Sequence, residues 1–184
     1  SPVLSNAEVI SWPVFGADEF DKAGDWLEQN VKTDCLPISC FLSKIPDTRK
    51  GLVDTRAEVS WLSMNGGGVG VYASNRSPDE KSTGVMAHLA GYDKDTLAYR
   101  QTEKRRGSIA AYLDINHPEI KSFIQMRNPV GGDTNKKCFN LNNAINITDD
   151  FMQAVAKGED YELIDPKHGA TGKFLNAREV WEEI

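Results

Sequence analysis

The sequence predicts an α/β fold, and three observations carry that expectation. Short apolar runs of strand length alternate along the chain with segments whose apolar residues recur at helical spacing. Glycine, proline and polar clusters punctuate the transitions between them. Neither an internal repeat nor a low-complexity linker interrupts the 184 residues, so they read as one domain.

Taken in order, Asp18 to Val31 has Phe20, Trp26 and Leu27 on one side of an amphipathic helix. Ile38 to Leu42, after Pro37, reads as a short strand. Val53, Ala57, Trp61 and Met64 form a helical stripe at i, i+4, i+8 and i+11. Gly66 to Tyr72 reads as a glycine turn entering a strand, and the polar stretch from Ala73 to Gly84 as a loop. Ser108 to Ile115 reads as a buried strand. Pro118 then suits the first position of a helix whose apolar face is Ile120, Phe123 and Ile124. Asn143 to Ile147 is the next strand. Thr148 or Asp149 caps a helix that runs through Ala156 and stops at Gly158. Tyr161 to Phe174 reads as a hairpin turning at Pro166-Lys167-His168-Gly169. At the end, Val180, Trp181 and Ile184 fall at helical spacing with no Gly or Pro stop, which reads either as a helix cut in mid-stride or as an undecorated C-terminal helix.

Bulk properties narrow the function classes. A net charge of −6 weighs against nucleic acid as a partner, although a local basic cluster can still hold an anion. No apolar run approaches the roughly 20 residues of a membrane helix, and the first residues show no signal-peptide pattern. Cys35, Cys40 and Cys138 are too few for a disulfide scaffold, so a reducing cytoplasm is the expected compartment. His88, His117 and His168 have no partner at metal-ligand spacing, so no metal site is expected.

Three segments could carry chemistry. Gly68-Val69-Gly70-Val71-Tyr72-Ala73 satisfies a dinucleotide-binding fingerprint formally, but a helix precedes it and a strand follows, the reverse of what phosphate binding at a helix start requires. What survives is a backbone able to approach a neighbour closely, or simply a tight turn. Gln101-Thr102-Glu103-Lys104-Arg105-Arg106 reads as a phosphate-contacting loop or as a solvated basic turn, with Asn75-Arg76-Ser77 a weaker case of the same kind. Cys35 and Cys40 flank Leu36-Pro37-Ile38-Ser39 and could be redox-active or nucleophilic, or Cys40 could be a small buried hydrophobe.

In their order along the chain these segments resemble successive blocks of the ribonucleotide reductase catalytic subunit. The blocks are Ser1 to Asn6, Pro37-Ile38-Ser39-Cys40-Phe41-Leu42, Ser63 to Gly70, Arg105-Arg106-Gly107-Ser108 with Tyr112-Leu113 and His117-Pro118-Glu119-Ile120, and Asn140 to Ala144. The match continues through Asp149 to Met152 and Asp165-Pro166, and the forms look most like the phage and cyanophage branch. The resemblance implies a ten-stranded α/β barrel built from two parallel five-stranded halves. Residues 1–184 would be the first half, with a helical insertion at 8–34.

The resemblance also implies roles. Cys40 matches a cysteine that gives up electrons as one of a disulfide-forming pair. Ser1 and Ser39 match hydroxyl residues around the substrate phosphates, and Gly68 a backbone contact beside the substrate ribose. Asp47 matches a carboxylate that binds the ribose of an allosteric effector. Arg76 falls in the first effector loop, and Gln101, Thr102, Lys104, Arg105 and Arg106 in the second. The family's second redox cysteine, its thiyl-radical cysteine and the Asn and Glu beside it come from later strands, and Cys35 and Cys138 do not occupy those positions.

The expected function is thus that of a fragment, inactive alone, of an enzyme reducing ribonucleotides to deoxyribonucleotides by thiol and radical chemistry. Its expected partners are a ribonucleotide substrate, deoxynucleotide or ATP effectors, a second catalytic subunit and a radical-generating subunit. No cofactor is expected in this chain. The parent enzyme needs a thiol reductant and a radical source, either a metal-bearing small subunit or adenosylcobalamin. Two other readings stand beside this one: a stand-alone nucleotide-binding module, and an unrelated α/β thiol oxidoreductase using Cys35 and Cys40.

Overall fold

The computed structural model describes residues 40–102 and 105–184. The expected helix at 18–31, the insertion at 8–34, and Ser1, Cys35, Ser39, Glu103 and Lys104 lie outside the described residues.

In chain order the elements are β1 (Cys40–Ile45), α1 (Arg49–Met64), β2 (Gly68–Ala73), α2 (Val85–Ala98), β3 (Arg100–Thr102), β4 (Arg105–Arg106), β5 (Ile109–Asp114), α3 (Ile120–Ile124), β6 (Asn142–Asn146), α4 (Asp149–Lys157), β7 (Asp160–Asp165), β8 (Gly169–Asn176) and α5 (Ala177–Glu183). Strands β1, β2, β5 and β6 form a parallel sheet in that order. This is α/β architecture with the crossovers made by helices, consistent with part of an α/β barrel.

Alternation along each strand divides the sheet into two faces. Ile45, Val69, Val71, Ala73, Ile109, Ala111 and Leu113 are buried on one face, in a core shared with Val59 of α1, Leu89 of α2 and Phe123 of α3. Cys40, Leu42 and Lys44 point the other way and are exposed, Leu42 at 83%.

Helix α1 forms where its stripe predicts, capped by Thr48, whose hydroxyl accepts from Gly51 N at 3.0 Å. The stripe itself faces the wrong way for a core. Val53 is 68% exposed, and Trp61 and Met64 are each 40% exposed. The buried residues are Thr55, Val59 and Ser63, a competing i, i+4, i+8 row whose small side chains let the helix lie close to the sheet. The helix ends at Asn65. Gly67 then brings the chain back against it: a Cβ there would lie 2.9 Å from the Leu62 carbonyl and 2.7 Å from the Phe41 ring.

Helix α2 was not expected, because the run after Gly84 has no local cap. Its start is held from a distance: Glu119 Oε2 accepts from Val85 N at 2.6 Å. The supposed loop at 101–106 is in part a ribbon, with β3 and β4 antiparallel. Pro118 does not open α3, whose first helical residue is Ile120 after Glu119. Thr148 and Gly158 bound α4 as expected, and the β7–β8 hairpin turns where Pro166 to Gly169 predict.

Candidate functional site

Two places on this framework gather polar and reactive groups, one on the open sheet face and one beyond the strands' carboxyl ends.

On the open face, Cys40 is paired in register with Gly68 at the amino ends of β1 and β2. Nothing taller than a glycine stands beside the thiol on β2, and Gly70 continues the low track next to Leu42. A Cβ at Gly70 would come 2.6 Å from Leu42 Cδ2 and 3.0 Å from the Tyr112 ring. A hollow of about 490 Å³ lies over this face, lined by Leu42, Ser43, Lys44, Gly70, Tyr72, Tyr112 and Asn146. At its far end Tyr72 Oη donates to Asp114 Oδ2 at 2.5 Å, and Asn146 Nδ2 donates to Asp114 Oδ1 at 2.9 Å. Burial and the Asp114 carboxylate push the Tyr72 phenol up to about 12, so it stays a donor at neutral pH. Lys44 Nζ sits 5.9 Å from the Tyr72 ring centre.

Cys138 contrasts with Cys40. It is fully buried, and burial, with Asp93 adding repulsion, pushes its thiol up to about 11.

The second place is a cavity of about 320 Å³ where the chain leaves β1 and β2. Asp47, Thr48, Arg49, Leu52, Arg76, Lys81, Ser82, Thr83, His88 and Lys167 line it. Arg76 Nε lies 3.2 Å from Asp47 Oδ2, and Arg76 Nη1 lies 3.4 Å from Asp79 Oδ2. Four cationic side chains thus line the cavity against one carboxylate, in a chain whose net charge is −6. Arg49, Lys81 and Lys167 have no ion-pair partner among the described residues. The start of α1, with no acidic residue in its first turn, adds its positive end. Burial first, and then the nearby Arg56 charge, lower the pKa of His88, with Asp47 opposing them. The arrangement suits an anion with a polar body, such as a phosphate ester.

Of the residues singled out from sequence, Cys40 and Gly68 are neighbours at one end of the strands, and Asp47 and Arg76 are an ion pair at the other. Backbone positions put Gln101 and Thr102 in β3, and Arg105 and Arg106 in β4. Arg106 is exposed and does not line the cavity. Sequence reasoning missed Arg49, Lys81, His88 and Lys167 as cavity residues, and Lys44, Tyr72 and Tyr112 on the open face. Lys81 lies inside the loop already flagged. Lys167 sits in a turn 86 positions further on, and no local signal connects the two.

His117 is structural. His117 Nδ1 accepts from Glu119 N at 3.1 Å, so the ring proton is on Nε2, which donates to the Asn75 carbonyl at 2.9 Å.

A parallel sheet with one face packed, an exposed thiol beside glycines, and a cationic cavity past the strand ends define an α/β domain with a cavity suited to an anionic ligand. The family described as "Ribonucleotide reductase, barrel domain" matches residues 38–183. The chain belongs to that family. It is 51% identical over 150 residues to a Frog virus 3 protein described as a ribonucleoside-diphosphate reductase large subunit, covering 81% of this chain and 26% of that one. It is 49% identical over 156 residues to the ribonucleoside-diphosphate reductase large subunit of Invertebrate iridescent virus 6, covering 81% and 16%. A vitamin B12-dependent ribonucleoside-diphosphate reductase of Thermoplasma acidophilum is 27% identical over 154 residues, covering 79% and 20%. The chain therefore spans about a quarter or less of the length of these relatives. The two viral relatives are not phage proteins by name, so they lend no support to the expected phage-like placement.

Proposed function

We propose that the chain is the first half of the catalytic barrel of a ribonucleotide reductase large subunit, and that in the intact enzyme it takes part in reducing ribonucleoside diphosphates to deoxyribonucleotides. The observation that carries this is the placement of Cys40, exposed on the uncovered sheet face and in register with Gly68. The reaction needs two electrons and two protons. Two thiols supply them as they join in a disulfide, and the ribose 2′ oxygen leaves as water. Cys40 is one of that pair and Gly68 lets the ribose approach the backbone, with the substrate-phosphate role assigned to Ser39 and Ser1 through the resemblance alone. The radical source is a metal-bearing partner subunit or adenosylcobalamin. No group of three or more His, Cys, Asp and Glu side chains gathers among the described residues to hold a metal there.

The 320 Å³ cavity is the effector site in this reading. Asp47 accepts from the effector ribose and Arg76 faces its phosphates, with the ribbon residues Gln101, Thr102, Arg105 and Arg106, and Lys104, relaying effector identity toward the substrate. The exposed Val53, Trp61 and Met64 stripe borders a groove of about 660 Å³ against α2, which suits cover by a second catalytic subunit. No helix among the described residues is long and apolar enough to cross a membrane, and a reducing cytoplasm is the compartment that keeps such thiols usable.

The test is a chimera in which residues 38–183 replace the matching segment of the iridescent virus 6 large subunit. The chimera reduces ribonucleotides with its usual reductant, and Cys40→Ser abolishes multiple turnover. Full turnover by the Cys40→Ser chimera would sink the assignment.

A further inference from the structure

We propose that the turn of the β7–β8 hairpin is a third wall of the cationic cavity, with Lys167 contacting the phosphate chain of a bound nucleoside triphosphate and Asp165 acting as the residue that positions it. The inference rests on the reading of the cavity as a nucleotide effector site and adds the hairpin to it.

The hairpin reaches the cavity because of one carboxylate. Asp165 is 3% exposed at the end of β7. Its Oδ2 accepts from Ser77 N at 2.7 Å and from Ser77 Oγ at 2.6 Å. Its Oδ1 accepts from Lys167 N and His168 N, each at 2.9 Å. One side chain therefore shapes the turn with one oxygen and fastens it to the loop carrying Arg76 with the other. The contact is extended by His168 Nε2, which lies 3.4 Å from Asp79 Oδ2, the carboxylate that also meets Arg76. Four donors on one carboxylate make a rigid joint, because each bond fixes a different backbone or side-chain direction.

The joint leaves Lys167 lining the same cavity as Arg49, Arg76 and Lys81. The Lys167 ammonium has no carboxylate partner among the described residues, whereas Arg76 is engaged by Asp47 and Asp79. A flexible, unengaged ammonium opposite a partly neutralised guanidinium suits the outer phosphates of a chain whose sugar is held at Asp47. The ligand class is a nucleoside triphosphate and not a nucleoside, because three cations without an ion-pair partner among the described residues, Arg49, Lys81 and Lys167, line the cavity against the single carboxylate of Asp47.

The experiment titrates the 184-residue chain with a deoxynucleoside triphosphate, the matching deoxynucleoside and inorganic tripolyphosphate. Lys167→Ala weakens triphosphate and tripolyphosphate binding about tenfold, a size usual for one charge-assisted phosphate contact, and leaves the deoxynucleoside unaffected. Lys167→Arg recovers most of the loss, and Lys173→Ala, on β8 away from the cavity, changes nothing. Asp165→Asn weakens triphosphate binding in the parent chain but adds little in the Lys167→Ala background. A purely structural role would give the same loss in both. Wild-type binding by Lys167→Ala, with loss in Arg76→Ala, overturns the hairpin contact and leaves the effector cavity standing. Equal Asp165→Asn losses in both backgrounds overturn the positioning role. No triphosphate binding by the parent chain, or binding indifferent to both Asp47→Ala and Arg76→Ala, overturns the cavity reading and this inference with it.

Discussion

Glu119 caps a helix that begins 34 positions before it: its Oε2 accepts from Val85 N at 2.6 Å, and a Cβ on the neighbouring Gly84 would fall 2.6 Å from the same oxygen. The carboxyl is 7% exposed and its other oxygen has no hydrogen-bond partner. Glu119→Ala removes the cap and leaves a buried N–H unsatisfied, at a cost of about 1–2 kcal/mol in denaturant unfolding. Glu119→Gln keeps an acceptor and costs less than half as much. Equal losses in the two variants would show that charge, not capping, matters there.

Glu119 and Asp165 pull the pH profile of stability in opposite directions. Burial raises the Glu119 carboxyl, so the folded state holds its proton longer than the unfolded chain, and stability from this group falls as pH rises above the ordinary 4.5. Asp165 is also penalised by burial, but hydrogen bonds from Ser77, His168 and Lys167 outweigh that and lower it to about 2. Its contribution is complete above the ordinary 3.8 and is lost as pH falls toward 2, amounting to about 2 kcal/mol. Asp165→Asn therefore flattens the acid limb of the unfolding curve between pH 4 and 2. An unchanged acid limb counts against the joint between the hairpin and Ser77.

Cys40 and Cys138 differ in access and in acidity. The exposed Cys40 is alkylated by a small reagent at least roughly tenfold faster than Cys138, whose thiol is buried and reluctant to ionise. Peptide mapping by mass spectrometry after timed labelling reads both rates. A Cys40 that stays inert until the chain is denatured would remove it as a redox cysteine.

The outward stripe on α1 predicts self-association. Val53→Glu with Trp61→Glu places charge on a surface with 68% and 40% exposure, so folding changes by less than about 0.5 kcal/mol. Sedimentation across a concentration series shows a larger species for the parent chain and a smaller one for the variant. Identical mass distributions would mean the stripe is ordinary surface.

Deoxynucleoside triphosphate binding by the chain weakens about tenfold or more in Asp47→Ala. That substitution also frees Arg76 from one of its two carboxylates, so Asp47→Asn, which keeps a ribose acceptor, retains more affinity than Asp47→Ala. The reverse order would assign Asp47 only to holding Arg76.

The sequence by itself determined most of the elements and the chemistry of single segments. Alternating and helical spacing located β1, β2, β5, β6, α1, α4 and the β7–β8 hairpin, because these patterns reflect periodicities of the local backbone. Collinear blocks around Cys40, Gly68 and Asp165 indicated the family. Spacing could not say which stripe of α1 faces the core. Val53, Trp61 and Met64 are the more apolar row, but Thr55, Val59 and Ser63 are small enough to lie against the sheet, and only the assembled packing decides between them. Nor could it find α2, whose cap is supplied by Glu119 from another part of the chain. The cationic cavity is of the same kind. Asp47 and Arg76 were each singled out through resemblance, while Lys167 reaches the same cavity because Asp165 ties a distant hairpin to Ser77, a contact that exists nowhere until the chain has folded.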